Sequence, residues 1–250
     1  MRGAADIVGA WGSRLLDLVL PPTCPVTGER IERPGFLSAS GWAQLQFIDD
    51  PLCAQCGAPF AHDHGEGALC AACIAEPPAY DRARAAVVYD EASHRLIVGF
   101  KHADRTDLAP LFAGWLARAG APLIREGTII APTPLHPRRL LARRYNQAAI
   151  LASALSRRTG AALLLDGLER RRATPPQKNL SAEARRRNVA GAFAVREARA
   201  AAVKGAHILL VDDVLTTGST LSACARAFTK AGAASVDALV LARALKSELA

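Results

Sequence analysis

Two adjacent carboxylates near the end of the sequence follow an apolar run and precede a cluster of small hydroxyl residues. The stretch "HILLVDDVLTTGST" places Asp212 and Asp213 directly after a hydrophobic segment. The cluster downstream comprises Thr216, Thr217, Gly218, Ser219 and Thr220. Paired like charges at the end of a core strand must stay solvated or be neutralised, which indicates an edge where a polar ligand binds.

The hydroxyl-rich cluster has the composition of an anion-binding loop at the start of a helix. Backbone N–H groups at a helix N-terminus can hold a phosphate, and the helix dipole favours its charge. No Lys follows Gly218, so the segment is not a Walker P-loop. We therefore expect a terminal phosphate on the loop and hydroxyl groups or Mg²⁺ on the aspartates, as a sugar phosphate would provide. The alternative is an ordinary helix cap beside two solvated acids.

Four of the six cysteines form two pairs with the spacing of metal-binding knuckles, in "CAQCGAPFAHDHGEGALCAAC". The four are Cys53, Cys56, Cys70 and Cys73. Two such pairs can surround Zn²⁺ tetrahedrally, so a structural zinc site is predicted. The alternatives are disulfides or free thiols. Disulfides are rare in the cytoplasm, where the chain is expected because the N-terminus does not read as a secretory signal.

The remaining candidate metal ligands are given other roles. His62 and His64 lie between the cysteine pairs, but four cysteines already complete a tetrahedron. Cys24 has Thr27 where a knuckle partner would stand. Cys224 falls in a predicted helix, where a free cysteine packs as a small apolar side chain. No thiol is placed as a catalytic nucleophile.

Strand and helix patterns alternate from about residue 80 onward. Apolar runs that predict strands are "RAAVVY", "GTIIAPTPL", "AALLLDGLER", "NVAGAFAV", "AHILLVDD" and "SVDALVLAR". The intervening helical patterns predict an α/β fold, with a parallel sheet flanked by helices on both faces. Ligands of such sheets bind at the carboxyl ends of the strands, here in the connections after "IIAPTP", "LLLDGLERR" and "ILLVDD". No internal repeat or low-complexity segment stands out.

The net charge of +8 is concentrated in the middle of the 250-residue chain. Residues 136–187 contain twelve Arg and one Lys against three acidic residues, Asp166, Glu169 and Glu183. Such a segment fits an anionic ligand such as pyrophosphate, or nucleic acid. Charged residues interrupt the apolar N-terminal segment, so no membrane span is predicted there.

The strand, the paired aspartates and "TTGST" resemble the signature of the type I phosphoribosyltransferases, which bind 5-phosphoribosyl-1-pyrophosphate (PRPP) with Mg²⁺. The resemblance implies that Asp212 and Asp213 hold the ribose 2- and 3-hydroxyls and that residues 216–220 hold the 5-phosphate. The cysteine pairs are followed in order by "VVYDEASHRLIVGFKHADRTDLAPL", "APTPLHPRRLLARRYNQA", "ATPPQKNLSAEARRRNVAGAF" and "LLVDDVLTTGST". This order closely resembles the ComF family, also called the double zinc ribbon or competence protein ComFC family.

The ComF resemblance implies further site residues. Lys101 and Arg144 join the two aspartates as catalytic candidates. Substrate-binding candidates besides the phosphate loop are Arg139, Asn146, Gln147 and Arg186, the last in a mobile lid segment between two strands. Asn146 and Gln147 are alternatively caps of the helix that follows.

The resemblance also implies the division of the chain. Residues 1–50 are expected to form an N-terminal helix and a degenerate first ribbon, residues 51–79 the zinc ribbon, and residues 80–250 a phosphoribosyltransferase-like domain. Relatives often carry another cysteine knuckle pair before the one here. Only Cys24 remains in that region, with Thr27, Ser38 and Gly41 near the other positions, so a second zinc is not expected.

Two functions of different classes follow from the resemblance, which implies a cytoplasmic role in natural transformation. One is a Mg²⁺-dependent transferase that moves phosphoribosyl from PRPP to an unidentified acceptor. The other is a non-catalytic adaptor that senses PRPP or binds single-stranded DNA beside the DNA-uptake machinery. Against DNA binding, Tyr145 is the only aromatic residue of the basic loops available to stack on bases. The paired aspartates would also repel a phosphate backbone.

Overall fold

The structure is a computed structural model that describes residues 21–102, 105–135, 145–172 and 182–245. The strands of these residues are β1 (Ala83–Val88), β2 (Thr128–Pro132), β3 (Ala162–Leu163), β4 (Leu168–Arg170), β5 (Phe193–Val195), β6 (His207–Leu215) and β7 (Ser235–Arg243). Their α-helices are α1 (Ala39–Ala43), α2 (Ala71–Ala75), α3 (Glu91–His102), α4 (Ala109–Ala119), α5 (Gln147–Thr159), α6 (Ala182–Val189), α7 (Ala200–Val203) and α8 (Ser219–Lys230). Two 3₁₀ turns, Thr106–Leu108 and Glu197–Arg199, precede α4 and α7. The predicted N-terminal helix lies outside the described residues.

Five strands form a parallel sheet in the order β1–β7–β6–β2–β3. The central strand β6 pairs with β2 on one side and with β7 on the other. Residues 46–48 cover the outer edge of β1, where the Ile48 N–H donates to the Ala86 carbonyl. The predicted α/β fold with a parallel sheet and flanking helices is thereby confirmed.

Apolar side chains on alternate positions of the central strands enter two separate cores. Leu209 and Val211 of β6 pack with residues of α3, α4 and α5, among them Phe112. Ile208 and Leu210 point to the other face, where they pack with residues of α8 and with β4 and β5. Burial on both faces explains why the strands of this sheet read as continuous apolar runs and not as alternating ones.

Two of the predicted strands were wrong, both in their length and in the sheet to which they were assigned. The run "AALLLDGLER" divides into β3, at the edge of the parallel sheet, and β4. The chain turns back at Gly167, where a Cβ would come within 2.6 Å of the Leu164 side chain. The run "NVAGAFAV" begins inside α6, and only Phe193–Val195 becomes strand. Strands β4 and β5 form their own antiparallel pair, so the connection after β4 does not start at the parallel sheet.

The length of β6 positions the two aspartates differently from the prediction. The strand does not end at Asp212 and Asp213 but continues through them to the buried Leu215. Strand β2 ends at Pro132, opposite Val211, whereas pairing with β7 extends to Leu215. From Asp212 onward, one side of β6 therefore faces the residues that follow β2.

Candidate functional site

The paired aspartates lie at the carboxyl edge of the sheet together with a lysine from α3. The Lys101 Nζ is 2.7 Å from the Asp213 Oδ2, and the two side chains are only 19% and 18% exposed. The Asp212 Oδ1 accepts a hydrogen bond from the Asp213 backbone N–H at 2.9 Å. Thr133, the buried residue after β2, donates its side-chain hydrogen bond to Asp212. The structure thus brings three of the four predicted catalytic residues to one edge of the sheet.

The environment of Asp212 disfavours its ionised form. Burial and the adjacent charge of Asp213 raise the pKa of Asp212 to about 7, although hydrogen bonds from the Asp213 N–H and Thr133 and the charge of Lys101 act in the opposite direction. A neighbouring cation or a set of hydroxyl donors would favour the ionised form of Asp212. The pair therefore suits a ligand that brings positive charge or hydroxyl groups to this edge.

The loop after β6 turns directly into α8. Gly218 has φ +72°, a conformation that favours glycine, and helix α8 begins at Ser219. The N-cap residue is Gly218, which has no side chain to cap the helix, and backbone N–H groups at such a helix start can bind an anion. The Thr217 and Ser219 hydroxyl oxygens are 2.9 Å apart. Thr216 and Thr217 are exposed, while Ser219 is buried. The predicted residues thus form a loop at a helix N-terminus next to the aspartates.

Asn146 and Gln147 hold neighbouring backbone segments in place. Asn146 is the N-cap of α5, accepting from the Ala148 N–H at 3.1 Å and donating from Nδ2 to the Thr133 carbonyl at 3.0 Å. The buried Gln147 donates from Nε2 to the Lys101 carbonyl at 3.3 Å. The cap alternative fits Asn146, and both side chains connect α5 to the segments that carry Thr133 and Lys101.

The other predicted cationic residues are not placed by the structure. Arg139 and Arg144 lie in the segment 136–144, outside the described residues, and the side chain of Arg186 is likewise outside them. Sequence reasoning did not single out Thr133, although it follows a predicted strand directly. It also missed Tyr80, whose ring packs against Gly218, and Arg243, which hydrogen-bonds to the Cys56 carbonyl, because both contacts come from tertiary packing.

The four predicted zinc ligands converge into one cluster. Their Sγ atoms all lie within 4.8 Å of one another. The Cys56 and Cys70 sulfurs are 3.6 Å apart, close to the roughly 3.8 Å expected between ligands of a tetrahedral zinc–thiolate centre. Burial alone would raise the pKa of Cys53, but hydrogen bonds from the Cys70 and Cys56 N–H groups lower it to about 6. These residues fit Zn²⁺, which would hold the two knuckles together.

The residues that the sequence analysis left out of the zinc site lie outside the cluster. The two histidines between the knuckles are exposed, whereas Cys224 is buried elsewhere. The ring of His64 packs edge-on against Phe60, with the ring centroids 4.8 Å apart. His62 is exposed in the same loop. Cys224 lies on α8 and is fully buried in the core, as the sequence pattern predicted.

A second knuckle-like turn precedes the cluster, in the region of the expected degenerate first ribbon, and repeats the backbone hydrogen bonds of the cysteine knuckle. The Cys24 N–H donates to the Glu29 carbonyl at 2.7 Å, as the Cys53 N–H donates to the Ala58 carbonyl at 2.8 Å. The Gly28 N–H reaches the Cys24 carbonyl, matching the bond from the Gly57 N–H to the Cys53 carbonyl. Ser38 begins α1 as Cys70 begins α2. Of the four cysteine positions of such a ribbon, only Cys24 is retained in this first turn.

The residues of this first ribbon do not fit a second zinc. Thr27, Ser38 and Gly41 occupy the places of the second, third and fourth cysteines, so one sulfur ligand remains. The Thr27 and Ser38 hydroxyl oxygens are 3.1 Å apart, and a Cβ on Gly41 would come within 2.7 Å of the Cys24 Sγ. Burial alone would raise the pKa of Cys24, but hydrogen bonds from Ser38 and Thr27 outweigh burial and lower the pKa to about 7. Hydrogen bonds and close packing thus replace a metal.

Within the described part of the chain, no helix is long and apolar enough to cross a membrane.

Comparisons with known proteins agree with this two-part organisation. A double zinc ribbon domain matches residues 15–79, and a phosphoribosyl transferase domain matches residues 146–250. DNA utilization protein YhgH of Escherichia coli O157:H7 is 35% identical over 203 residues, which cover 79% of this chain and 86% of that protein. Competence protein F of Haemophilus influenzae is 31% identical over 206 residues, covering 80% of this chain and 88% of that protein.

Solved structures give a weaker likeness. The allosteric regulatory enzyme of purine biosynthesis is 18% identical with a TM-score of 0.38, over 58% of this chain and 30% of that longer chain. Glutamine PRPP amidotransferase of B. subtilis gives the same TM-score of 0.38. The sequence relatives, matched over most of their length, establish the family. The chain belongs to the ComF family, together with competence protein F and DNA utilization protein YhgH.

Proposed function

We propose that this protein binds PRPP with Mg²⁺ at the carboxyl edge of its parallel sheet and transfers the phosphoribosyl group to an acceptor. The observation that carries the proposal is the continuity of Asp212 and Asp213 with the loop at the N-terminus of α8. An anion site and a pair of hydroxyl acceptors stand next to each other on one strand and helix. Ribose 5-phosphate presents the complementary groups, a phosphate and two hydroxyls, on one molecule.

Each part of the site has a role in holding the donor. The carboxylates of Asp212 and Asp213 accept hydrogen bonds from the ribose 2- and 3-hydroxyls. The backbone N–H groups and hydroxyls of residues 216–220 donate to the 5-phosphate. Lys101 keeps a positive charge beside the carboxylates, and Arg139 and Arg144 are proposed to contact the pyrophosphate. Mg²⁺ coordinated by the donor's own oxygens would neutralise charge that builds on the leaving pyrophosphate.

The proposed transfer depends mainly on how the protein positions the donor. When the anomeric C–O bond breaks, positive charge develops on the ribose and negative charge on the pyrophosphate. The protein orients the donor, stabilises both charges and excludes water, and no side-chain nucleophile is needed. Arg186, on α6 between β4 and β5, is proposed to belong to a lid over the leaving group. The phosphoribosyltransferase-like domain is proposed to comprise residues 80–250. It follows an N-terminal helix and degenerate ribbon in residues 1–50 and the zinc ribbon in residues 51–79.

A second candidate function, a single-stranded DNA adaptor, is favoured by an aromatic cluster outside the basic loops. Trp42, which is 41% exposed, stacks on Phe47 with ring centroids 5.2 Å apart, and Trp115 packs edge-on against both. The Arg118 guanidinium lies over the Phe47 ring at 5.6 Å. Exposed aromatic rings beside a cation can stack nucleobases. The names of the relatives also connect those proteins to competence and DNA utilization.

Pyrophosphate release distinguishes the two functions. The protein is incubated with PRPP and Mg²⁺, alone and with candidate bases and amines, and pyrophosphate is measured over time. Release that disappears in the Asp212→Asn/Asp213→Asn variant supports the transferase. Saturable donor binding without release under any acceptor, together with single-stranded DNA binding that is lost in Trp42→Ala, would support the adaptor instead.

A further inference from the structure

The four-cysteine cluster is docked against the sheet through its first knuckle. The Ala83 N–H of β1 donates to the Gln55 carbonyl at 2.6 Å, and the Arg84 Nη1 donates to the Ala54 carbonyl at 3.2 Å. At Gly57, φ is +68° and a Cβ would come within 2.4 Å of the Ala83 carbonyl oxygen. The knuckle backbone therefore fits against β1 with no space for a side chain between them.

Arg243 connects the knuckle to the strand that precedes the phosphate loop. Its Nη1 donates to the Cys56 carbonyl at 2.6 Å, and its Nη2 lies 3.3 Å from the Cys56 Sγ. Arg243 is the last residue of β7 and pairs in register with Leu215, the last residue of β6. The Ala244 N–H donates to the Leu215 carbonyl at 2.9 Å. One side chain thus links a zinc ligand to the backbone from which residues 216–220 extend.

Tyr80 makes a second connection between the same two regions. It lies in the segment that joins the ribbon to β1 and is 4% exposed. Its hydroxyl oxygen would be 3.2 Å from a Cβ on Gly218, so its ring packs against the loop glycine. The neighbouring Ala79 N–H donates to the Ser222 hydroxyl of α8 at 3.4 Å. The loop and the start of α8 are therefore supported from the side of the cysteine cluster.

We propose that Arg243 is a positioning residue through which the zinc ribbon holds the 216–220 loop in its anion-binding conformation. Metal at the cluster fixes the Cys56 backbone and sulfur that Arg243 contacts, and Arg243 in turn fixes the end of β7 against Leu215. Groups that donate hydrogen bonds to metal-bound thiolates are coupled in this way to the metal. If zinc in the cluster strengthens phosphate binding at the loop, thermodynamic linkage requires that phosphate at the loop strengthens zinc binding by the same factor. This last consequence rests on the proposed function, whereas the loop's dependence on zinc does not.

Hydrogen exchange of the loop amides tests the proposal without any ligand. Exchange of residues 216–220 is compared in the zinc-loaded wild type, the chelated wild type and zinc-loaded Arg243→Met. Arg82→Met is the matched control, because Arg82 pairs with Asp237 near the other end of β7. We expect loop exchange to rise at least about fivefold on chelation and in Arg243→Met, but not in Arg82→Met. Exchange of the β2 amides should be unchanged in all four samples. Unchanged loop exchange in zinc-loaded Arg243→Met, or an equal rise in Arg82→Met, would overturn it.

Zinc release to a chelator tests the reciprocal effect, with ribose 5-phosphate as the probe and its binding measured separately by calorimetry. We expect saturating ribose 5-phosphate to slow zinc release at least about fivefold in the wild type and to have no effect in Arg243→Met. Arg243→Lys, which retains a charged donor, should recover part of the protection. Binding of ribose 5-phosphate without slower release contradicts the coupling. Absence of binding contradicts the proposed function instead, and the exchange experiment then decides the coupling alone.

Discussion

Replacing Asp212 by Asn should change how the stability of the protein depends on pH. In the folded protein, burial and the charge of Asp213 raise the pKa of Asp212 from 3.8 to about 7. Between these two values the folded state retains a proton that the unfolded chain has lost, so this group's contribution to stability falls as pH rises. From pH 6 to pH 8 the loss amounts to about 1.4 kcal/mol for a folded pKa of about 7.

Urea unfolding at pH 6 and pH 8 measures this contribution. Both values avoid the more acidic range in which zinc thiolates become protonated. We expect the free energy of unfolding of Asp212→Asn, relative to wild type, to rise by about 1.4 kcal/mol between the two pH values, because Asn cannot ionise. The same comparison for Asp213→Asn should show a smaller rise relative to wild type, because this variant keeps Asp212 and removes only the charge that raises its pKa. Asp63→Asn, at an exposed residue of the ribbon loop, is the control. Parallel pH dependence of wild type and Asp212→Asn within about 0.3 kcal/mol would refute this account of Asp212.

Three further predictions concern the metal, the loop and DNA. Cys53→Ser should lose stoichiometric zinc and unfold mainly the ribbon, while Cys224→Ser should keep its zinc. Metal analysis and circular dichroism check both variants. A Cys53→Ser protein with full zinc content would contradict the assignment of the cysteine cluster as the zinc site. Gly218→Ala should cost about 1–2 kcal/mol of stability and weaken phosphate binding, because φ at Gly218 is +72° and the Tyr80 side chain is close. The control Gly99→Ala, in α3, should be neutral or stabilising in thermal unfolding. Binding of single-stranded DNA, if the adaptor function holds, should fall steeply between 50 and 200 mM salt in fluorescence anisotropy, and salt-independent binding would argue against contacts with the phosphate backbone.

The positions of the paired aspartates, the loop and the cysteine cluster were predictable because their signals are local in sequence. Asp212, Asp213 and the loop after them are contiguous, and the cysteine pairs have their own spacing. The parallel sheet followed from apolar runs that are buried on both faces. These features require no knowledge of which distant segments meet.

The features that the sequence did not reveal depend on tertiary contacts or on short turns. The break of "AALLLDGLER" at Gly167 separates β3 from β4, and an apolar run alone does not distinguish one strand from two. Thr133 became recognisable only when β2 was placed beside β6. The degenerate first ribbon was expected from the family resemblance, but the backbone hydrogen bonds that it shares with the second ribbon became visible only in the structure.

The most direct test of the central claim is calorimetric titration of the zinc-loaded protein with PRPP in the presence and absence of Mg²⁺. The Asp212→Asn/Asp213→Asn variant is titrated alongside Asp49→Asn/Asp50→Asn, which removes another adjacent aspartate pair that is exposed and precedes the ribbon. We expect saturable, Mg²⁺-dependent binding in the wild type and in the Asp49/Asp50 variant, and none in the Asp212/Asp213 variant. Absence of binding in folded wild type, or full affinity in the Asp212/Asp213 variant, would contradict the assignment of this sheet edge as the PRPP site.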